Sequence, residues 1–406
     1  MASALSRNIV ANRERSYRVS LLPGISSGNI DVIASAVGSR RSLLVTTPTV
    51  ARLYANGIVN CLQQTGSDMS MLILACSEQT KTLSAAERLC HECFTAGLSR
   101  TSLLIGCGGG VCTDLVTMAA SLARRGLNYI RIPTTLIGLI DASIGIKGAV
   151  NLPGKKSAIG CFHPPEHVFL DPTFLQTLPR TNIAEGLAEA IKVAIVMDRG
   201  LFELIEEYSR NLVERPSDIQ TERLTGLVWR SAVHLLDELE PNIYEDKTYR
   251  RILDFGHTFS PLIESESGFC LSHGLAVSID IALTTALACE LGLLSGGDRD
   301  RILRLLVNAG LPTFNSLLTL ELGFRALVAT EAHRGGHLNL ALPTQIGGAV
   351  FLTEKEQVPP QALRRALDFL REASLIVPVS TKLGPAVEPR SIATDLGGQE
   401  RRFLST

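Results

Sequence analysis

The first half of the chain alternates short aliphatic runs with amphipathic stretches. The aliphatic runs have the length and composition of buried strands and lie at residues 42–47, 71–76, 102–107 and 128–133. Helical patterns separate them, as at 83–97 and 113–125. Because strands that alternate with helices form parallel βαβ units, this half is predicted to be a doubly wound α/β sheet.

The second half shows long amphipathic stretches and few strand signals. These stretches lie at residues 184–197, 200–215, 220–239, 274–291 and 298–309, and a strand signal returns only at about 339–351. We therefore predict an N-terminal α/β domain at 1–175 and a mostly helical C-terminal domain at 176–377. Residues 378–406 are polar and rich in Pro and Gly, which predicts a disordered tail.

The composition narrows the class of protein. Of the 406 residues 45% are hydrophobic, enough for a large core, and 39 Lys and Arg nearly balance 40 Asp and Glu. A nucleic-acid-binding module would carry a basic excess, so we expect no nucleic-acid partner. No apolar run reaches the roughly 18 residues of a membrane span. The N-terminus also lacks a signal-peptide core, so we predict a cytoplasmic protein with no membrane partner.

The nine cysteines, an odd number scattered through apolar segments, fit that location. Cys90 and Cys93 form a CxxC within the helical pattern at 83–97. A single CxxC without a second pair is a weak signal for zinc. We expect reduced thiols there, with a metal or redox role as the alternative.

The sharpest local motif is IGCGGGVCTD at residues 105–114, where a strand runs into consecutive glycines and a helix then begins. Glycines at such a turn let backbone N–H groups approach a phosphate, and the helix N-terminus favours an anion. A tight turn without a ligand is the alternative. Asp114 could be a helix cap or a carboxylate that contacts a ligand.

Residues 133–160 are dense in small and hydroxyl side chains. Thr134 and Thr135 follow a predicted strand end, where α/β proteins bind ligands. One acid and three lysines stand among the glycines and indicate an anion-binding site, with a solvated loop as the alternative: Asp141, Lys147, Lys155 and Lys156. The HRGG at 333–336 could likewise reach an anionic substrate.

Glu189, His257 and His273 come from separate elements and would form a three-ligand catalytic zinc site with one position left for substrate. There is no HExxH, so spacing alone does not establish that site, and each histidine taken singly could be structural.

The order and spacing of five motifs resemble those of the sugar phosphate cyclases, whose best-known member is 3-dehydroquinate synthase. The resemblance covers about residues 42–350, and its anchors are GGGVCTD, RIPTTLIGLIDASIGIKGAVN, AEGLAEAIK, DFGHTFSPLIE and LSHGLAV. It implies a Rossmann-like NAD-binding N-terminal domain and a helical C-terminal domain that binds a divalent metal, usually Zn²⁺ or Co²⁺. It also implies an active site in the cleft between the domains, and a homodimer.

The resemblance further implies roles for individual residues. The metal ligands would be Glu189, His257 and His273. The NAD contacts would be Glu78, Lys81, Gly109, Gly110, Asp114, Thr134, Thr135, Lys156, Thr177 and Leu178. The catalytic and substrate-binding residues would be Asp141, Lys147, Lys156, Lys192, Arg250 and Asp254, while Arg125 would reach the site of a neighbouring subunit.

In the family's reaction, NAD transiently oxidises a ring hydroxyl, which acidifies the neighbouring C–H and lets phosphate leave by β-elimination. The hydride then returns, the ring opens and an intramolecular aldol step closes the carbocycle. The expected net reaction is therefore a lyase-type cyclisation without redox change.

Two departures indicate the subfamily. Asp254 stands where 3-dehydroquinate synthase has Asn, and Pro261 where it has a second His. Segments 241–245 and 334–347 are likewise similar to cyclases that use sedoheptulose 7-phosphate. The 3-dehydroquinate synthase substrate carries a carboxylate that Asp254 would repel, whereas sedoheptulose 7-phosphate offers a hydroxymethyl group there.

Within this group 2-epi-5-epi-valiolone is the favoured product because that subgroup is the broadest. The alternatives are 2-epi-valiolone and desmethyl-4-deoxygadusol, and outside the group a 3-dehydroquinate synthase, a non-catalytic protein or a polyol dehydrogenase. Three further departures leave the product open: Ser157 where Asn is usual, Gly148-Ala149 where Thr-Gly is common, and Thr47 where many relatives have Asp.

Overall fold

A computed structural model describes residues 15–376, and the predicted tail at 378–406 lies outside the described residues. The strands are β1 Arg18–Leu21, β2 Ser42–Thr46, β3 Met69–Ile73, β4 Leu103–Gly108, β5 Asn128–Pro133, β6 Lys147–Leu152, β7 Lys155–Phe162, β8 His167–Leu170, β9 Leu340–Gln345 and β10 Gly348–Leu352.

The α-helices alternate with strands in the first half and dominate the second. They are α1 Asp31–Val37, α2 Pro48–Val50, α3 Asn56–Gln64, α4 Leu83–Thr95, α5 Gly110–Leu122, α6 Arg180–Met197, α7 Arg199–Glu214, α8 Thr221–Leu239, α9 Ser260–Glu266, α10 His273–Glu290, α11 Gly296–Asn308, α12 Leu320–His333 and α13 Pro360–Ile376.

The N-terminal half is a six-stranded parallel sheet in the order β1-β8-β5-β4-β2-β3. Every residue of β2 and β4 is buried, because helices cover both faces of the sheet. One apolar cluster packs α1 and α3 against one face, and a second packs α4 and α5 against the other. The predicted doubly wound α/β half is confirmed.

The helical half is built around α10, which is apolar on nearly all sides and almost wholly buried. Helices around it expose one polar face, as in α7, where Asp198 caps the first turn by accepting the N–H of Leu201 at 3.0 Å. Two antiparallel hairpins, β6–β7 and β9–β10, complete the fold. No helix of the described part combines the length and apolarity needed to cross a membrane.

The change from sheet to helices falls between the end of β8 at Leu170 and the start of α6 at Arg180. The largest apolar cluster nevertheless spans both halves, joining Leu136, Val168 and Leu170 to the helices. A domain boundary at residue 175 therefore stays a prediction.

Some elements differ from their predicted bounds. The strand predicted at 71–76 is β3, which runs from Met69 to Ile73. The last hydrogen bond of this segment to the sheet is from the N–H of Leu74 to the carbonyl of Thr46 at 2.7 Å, and the chain then turns at Ser77–Thr80. The glycine-rich segment at 133–160 is only partly a loop, since it contains β6 and most of β7.

Candidate active site

The side chains of Glu189, His257 and His273 meet in one cluster, with potential ligand atoms all within 4.8 Å of one another. Nε2 of His273 lies 3.2 Å and Nε2 of His257 3.6 Å from Oε1 of Glu189. The two imidazole centroids are 5.3 Å apart. Within residues 15–376 this is the one group of three candidate metal ligands.

Close helix packing brings these ligands together. Glu189 lies in the middle of α6, and His273 is the first residue of α10. The next residue, Gly274, faces α6 so tightly that a Cβ there would lie 2.5 Å from the backbone of Glu185. Glycine is thus required for the N-terminus of α10 to approach Glu189.

His257 lies in a turn that a buried carboxylate holds. Asp280 of α10 accepts the backbone N–H groups of Phe259 at 2.5 Å and Ser260 at 2.8 Å, and the hydroxyl of Thr284 at 2.9 Å. Burial raises the pKa of Asp280 to about 6, although the hydrogen bonds favour its ionised form. Asp280 therefore fixes the backbone that carries the second candidate ligand.

The surrounding charges and burial set the protonation state of each candidate ligand. Burial opposes ionisation of Glu189, but the charges of Lys192 and His273 outweigh it and hold the pKa of Glu189 well below its usual range. Burial and the charge of Lys192 lower the pKa of His257 to about 4, which leaves a neutral imidazole. Burial also acts against the protonated His273, yet the nearby carboxylates of Glu189 and Glu264 raise its pKa to about 9.

A divalent metal fits these residues. Within the described part of the chain, neither buried carboxylate oxygen of Glu189 has a hydrogen-bond partner of good geometry. Lys192 and His273 offset the charge of this carboxylate without hydrogen bonds of good geometry, and a metal ion would give it a direct partner. One carboxylate and two imidazoles are also a common donor set of catalytic zinc.

The glycine turn forms a second part of the site. Gly109 precedes α5 with extended backbone and no side-chain cap, so the first N–H groups of α5 have no side-chain partner. A Cβ on Gly109 would lie 2.9 Å from Thr135, and one on Gly110 would meet Ala142 at 3.4 Å. Thr134 N–H donates to the Gly108 carbonyl at 3.0 Å. A pyrophosphate fits this N-terminus, so the residues present suit NAD.

Other residues predicted to contact NAD lie in segments that follow β3, β4 and β8 of the same sheet. Lys81 forms a buried ion pair with Asp114, and Glu78 accepts the Asn151 amide at 2.9 Å. Burial raises the pKa of Asp114, and Lys81 only partly offsets this. Thr177 and Leu178 lie in the segment between β8 and α6, and the hydroxyl of Thr177 forms a hydrogen bond with that of Tyr54.

Three of the predicted lysines form ion pairs with glutamates in or around the Glu189–His257–His273 cluster. Lys192 is 2.5 Å from Glu189 Oε2, and although burial disfavours its charge, Glu189, Asp141 and Asp254 raise its pKa. Lys156 lies 2.8 Å from Glu264. The half-exposed Lys147 pairs with Glu245.

Asp254 is not a free carboxylate. Its Oδ2 lies 3.0 Å from the guanidinium of the buried Arg334, which also donates to the carbonyls of Leu338 and Asn339 at 2.9 Å. Since Arg334 offsets part of its charge, Asp254 would repel a carboxylate substrate less strongly than the sequence alone predicts.

Two predicted residues lie outside this cluster. The exposed Arg250 stacks over Phe351 with Cζ 4.6 Å from the ring centroid, and within residues 15–376 no ion pair joins it to the metal ligands. Arg125 is exposed beyond the C-terminal end of α5, about 20 Å along that helix from the glycine turn at 1.5 Å per residue. Arg124 and Arg125 both have positive φ, at 55° and 64°.

Sequence reasoning missed the partners that hold these residues: Glu245, Glu264, Arg334 and Arg131. Arg131 is fully buried in β5 and donates to the Thr117 hydroxyl at 2.6 Å and to the carbonyls of Ser143 and Lys147 at 3.1 and 2.8 Å. It thereby fixes the loop between Asp141 and Lys147. The only signal in the sequence was an arginine inside an otherwise apolar strand.

The unusual Gly148 has a structural reason. A Cβ there would lie 2.6 Å from Cγ2 of Thr117, whose hydroxyl accepts a hydrogen bond from Arg131, so threonine would not fit.

Ser157 has φ of 50°, a left-handed conformation that Asn tolerates better than Ser. Thr47 lies beside the glycine turn, since a Cβ on Gly108 would be 3.9 Å from its methyl group.

Comparison with known proteins gives a consistent result. Residues 71–185 match the family model described as 3-dehydroquinate synthase N-terminal, and residues 186–330 match the one described as 3-dehydroquinate synthase C-terminal. The 2-epi-5-epi-valiolone synthase of Streptomyces glaucescens is 39% identical over 358 residues, 87% of this chain and 91% of that protein. Demethyl-4-deoxygadusol synthase of Trichormus variabilis is 35% identical over 323 residues, 78% of each.

A solved structure is similar over almost the same span. It is ValA, a 2-epi-5-epi-valiolone synthase from Streptomyces hygroscopicus subsp. jinggangensis 5008, with NAD⁺ and Zn²⁺ bound. The TM-score is 0.83 at 36% identity, covering 90% of this chain and 99% of that one.

Proposed function

Because the chain belongs to the 3-dehydroquinate synthase family, we propose that it is an NAD- and metal-dependent cyclase that converts sedoheptulose 7-phosphate into 2-epi-5-epi-valiolone and phosphate. The observation that carries this proposal is the Glu189–His257–His273 cluster with the buried Lys192 2.5 Å from Glu189 Oε2. The charges of Asp141 and Asp254 also help to raise the pKa of Lys192. A phosphorylated polyol needs a metal for its hydroxyls, cations for its phosphate and a carboxylate to orient it.

Glu189, His257 and His273 would hold Zn²⁺ or Co²⁺, which would supply Lewis acidity to the substrate. The neutral His257 and the ionised Glu189 have the protonation states that ligation requires. NAD at the glycine turn would supply a hydride acceptor and return the hydride later.

The chain's own residues orient the sugar. Lys192 stays protonated in its buried position because Glu189, 2.5 Å away, and the charge of Asp141 raise its pKa, and it lies beside the candidate metal ligands. Asp254, held by Arg334, accepts a hydrogen bond from a substrate hydroxyl with its remaining lone pairs. Lys147 and Lys156 exchange their acidic partners for the phosphate, which carries more charge than one carboxylate.

The subfamily assignment is supported by Asp254 and Pro261 together with the curated 2-epi-5-epi-valiolone synthases. Demethyl-4-deoxygadusol is the second candidate product, since a synthase of that compound is also 35% identical. The three departures at Thr47, Gly148-Ala149 and Ser157 lie near the glycine turn and hairpin β6–β7.

We further propose a homodimer in the cytoplasm. Arg125 is exposed and remote from the glycine turn of its own chain. Arg124 and Arg125 both have positive φ, and strained backbone of this kind is concentrated at functional sites. We propose that Arg125 contributes to the active site of the partner subunit. All nine cysteines are free, as in proteins of a reducing compartment.

The test is to incubate the Zn²⁺-loaded protein and NAD⁺ with sedoheptulose 7-phosphate and, separately, with the phosphorylated sugar acid that 3-dehydroquinate synthase uses. We expect phosphate only from the first, and NMR of the product then distinguishes the cyclitols. Phosphate only from the sugar acid would overturn the subfamily assignment.

A further inference from the structure

Glu264 is a buried carboxylate that the proposed chemistry leaves without a role. It lies on α9, between the turn that carries His257 and the start of α10 at His273. Its side chain is only 8% exposed, yet it is ionised: burial opposes this, but His273 and Lys156 lower its pKa to about 2.

The two oxygens of Glu264 have different partners. Oε1 accepts from Nδ1 of His273 at 2.7 Å, and Oε2 accepts from Nζ of Lys156 at 2.8 Å. Nε2 of the same imidazole faces Glu189 at 3.2 Å. The first contact spans 9 residues of sequence and the second 108, so Glu264 connects hairpin β6–β7 to the helical half.

We propose that Glu264 is a positioning residue that couples the metal site to the phosphate-binding lysine, with one oxygen orienting His273 and the other holding Lys156. A carboxylate on Nδ1 fixes the imidazole tautomer in which Nε2 is free to bind a metal, and it makes that nitrogen more basic. Because both partners share one carboxylate, removal of Lys156 from it strengthens its hydrogen bond to His273. The inference rests on the proposed function, because it takes the Glu189–His257–His273 cluster as the metal site and Lys156 as a lysine that binds the substrate phosphate.

The experiment measures zinc affinity by competition with a chromophoric chelator, with no substrate present. Glu264→Gln keeps the size of the side chain and should weaken zinc binding by about 10- to 100-fold, as loss of such a partner typically does. The matched control is Glu266→Gln on the same helix, whose carboxylate makes an exposed ion pair with Arg325 at 2.7 Å. The control should keep the zinc affinity of the unchanged protein.

Several results overturn the proposal. Zinc affinity of Glu264→Gln within threefold of the unchanged protein would do so, as would an equal loss in Glu266→Gln. If Glu264→Gln does not fold, Glu264→Asp replaces it, because one methylene less prevents simultaneous contact with both partners, and we expect at least a threefold loss. Failure of the unchanged protein to bind zinc would instead remove the metal assignment of the proposed function.

A double-mutant cycle tests the coupling itself. Lys156→Met should tighten zinc binding in the unchanged background, and most of that gain should vanish in the Glu264→Gln background. An equal effect of Lys156→Met in both backgrounds would show that the lysine acts on the metal directly and would contradict the shared role of Glu264.

Discussion

The glycine turn at Gly108–Gly110 and the Glu189–His257–His273 cluster offer different physical means of binding the ligands that we propose for them. The turn is made largely of backbone and small side chains within the contiguous segments Gly108–Gly110 and Thr134–Thr135, and it relies on close approach. The metal cluster is made of ionised side chains from distant elements, and each of its charges is balanced by another. Shape therefore dominates the first region and electrostatics the second, so each should respond to a different kind of substitution.

The largest effect is expected from His257→Ala. Loss of one of three ligands should abolish zinc retention and phosphate release, while NAD⁺ binding at the glycine turn stays measurable by fluorescence quenching or calorimetry. His91→Ala, an exposed histidine on α4, is the control and should retain zinc and activity. Full activity of His257→Ala would remove the metal assignment.

Gly109→Ala is the complementary change. Its Cβ would lie 2.9 Å from Thr135, so the turn must shift and NAD⁺ affinity should fall by roughly tenfold or more, with zinc affinity unchanged. The control is Gly57→Ala on α3, where a Cβ meets no atom within 4 Å and NAD⁺ binding should not change. Equal NAD⁺ affinities of the two variants would contradict the role of the turn.

Zinc binding should depend on pH because His273 holds a proton with a pKa of about 9 in the metal-free protein. A ligand must be neutral, so binding below that pH releases about one proton and the apparent affinity rises as pH increases, levelling off above about 9. His257, with a pKa of about 4, adds nothing near neutrality. Calorimetry at pH 7 in two buffers of different ionisation enthalpy counts the protons, and a count of zero would contradict this picture.

The smallest effect concerns Ser157, whose φ of 50° strains the hairpin beside Lys156. Ser157→Asn should raise the free energy of unfolding by up to about 1 kcal/mol, measured by denaturant titration, because Asn accepts this conformation more readily. Ser217→Asn, at an exposed serine with ordinary backbone, should change stability little. A loss of stability specific to Ser157→Asn would mean that the left-handed backbone is not the cause.

The same contrast explains what the sequence could predict. The central strands were predicted because they are buried on both faces and so form continuous aliphatic runs. Strands β1 and β8 were missed because each has four residues, too few for a pattern to emerge. Hairpin β6–β7 was missed because glycines and lysines interrupt it.

At the site, Glu189, His257 and His273 were predicted as metal ligands from motif resemblance, and the structure places their side chains close together. Their partners Glu264 and Arg334 were not predicted, since a lysine–carboxylate contact across 108 residues leaves no local pattern. The pairing of Asp254 with Arg334 also changes the explanation of substrate choice, because charge balance depends on the folded chain.

The central claim is a cyclisation that eliminates phosphate without net oxidation. Its most direct test follows phosphate and NADH together in one reaction of the Zn²⁺-loaded protein with NAD⁺ and sedoheptulose 7-phosphate. We predict one phosphate released for each cyclitol formed, with no accumulation of NADH. NADH that accumulates with substrate turnover and no phosphate would identify a dehydrogenase and contradict the account.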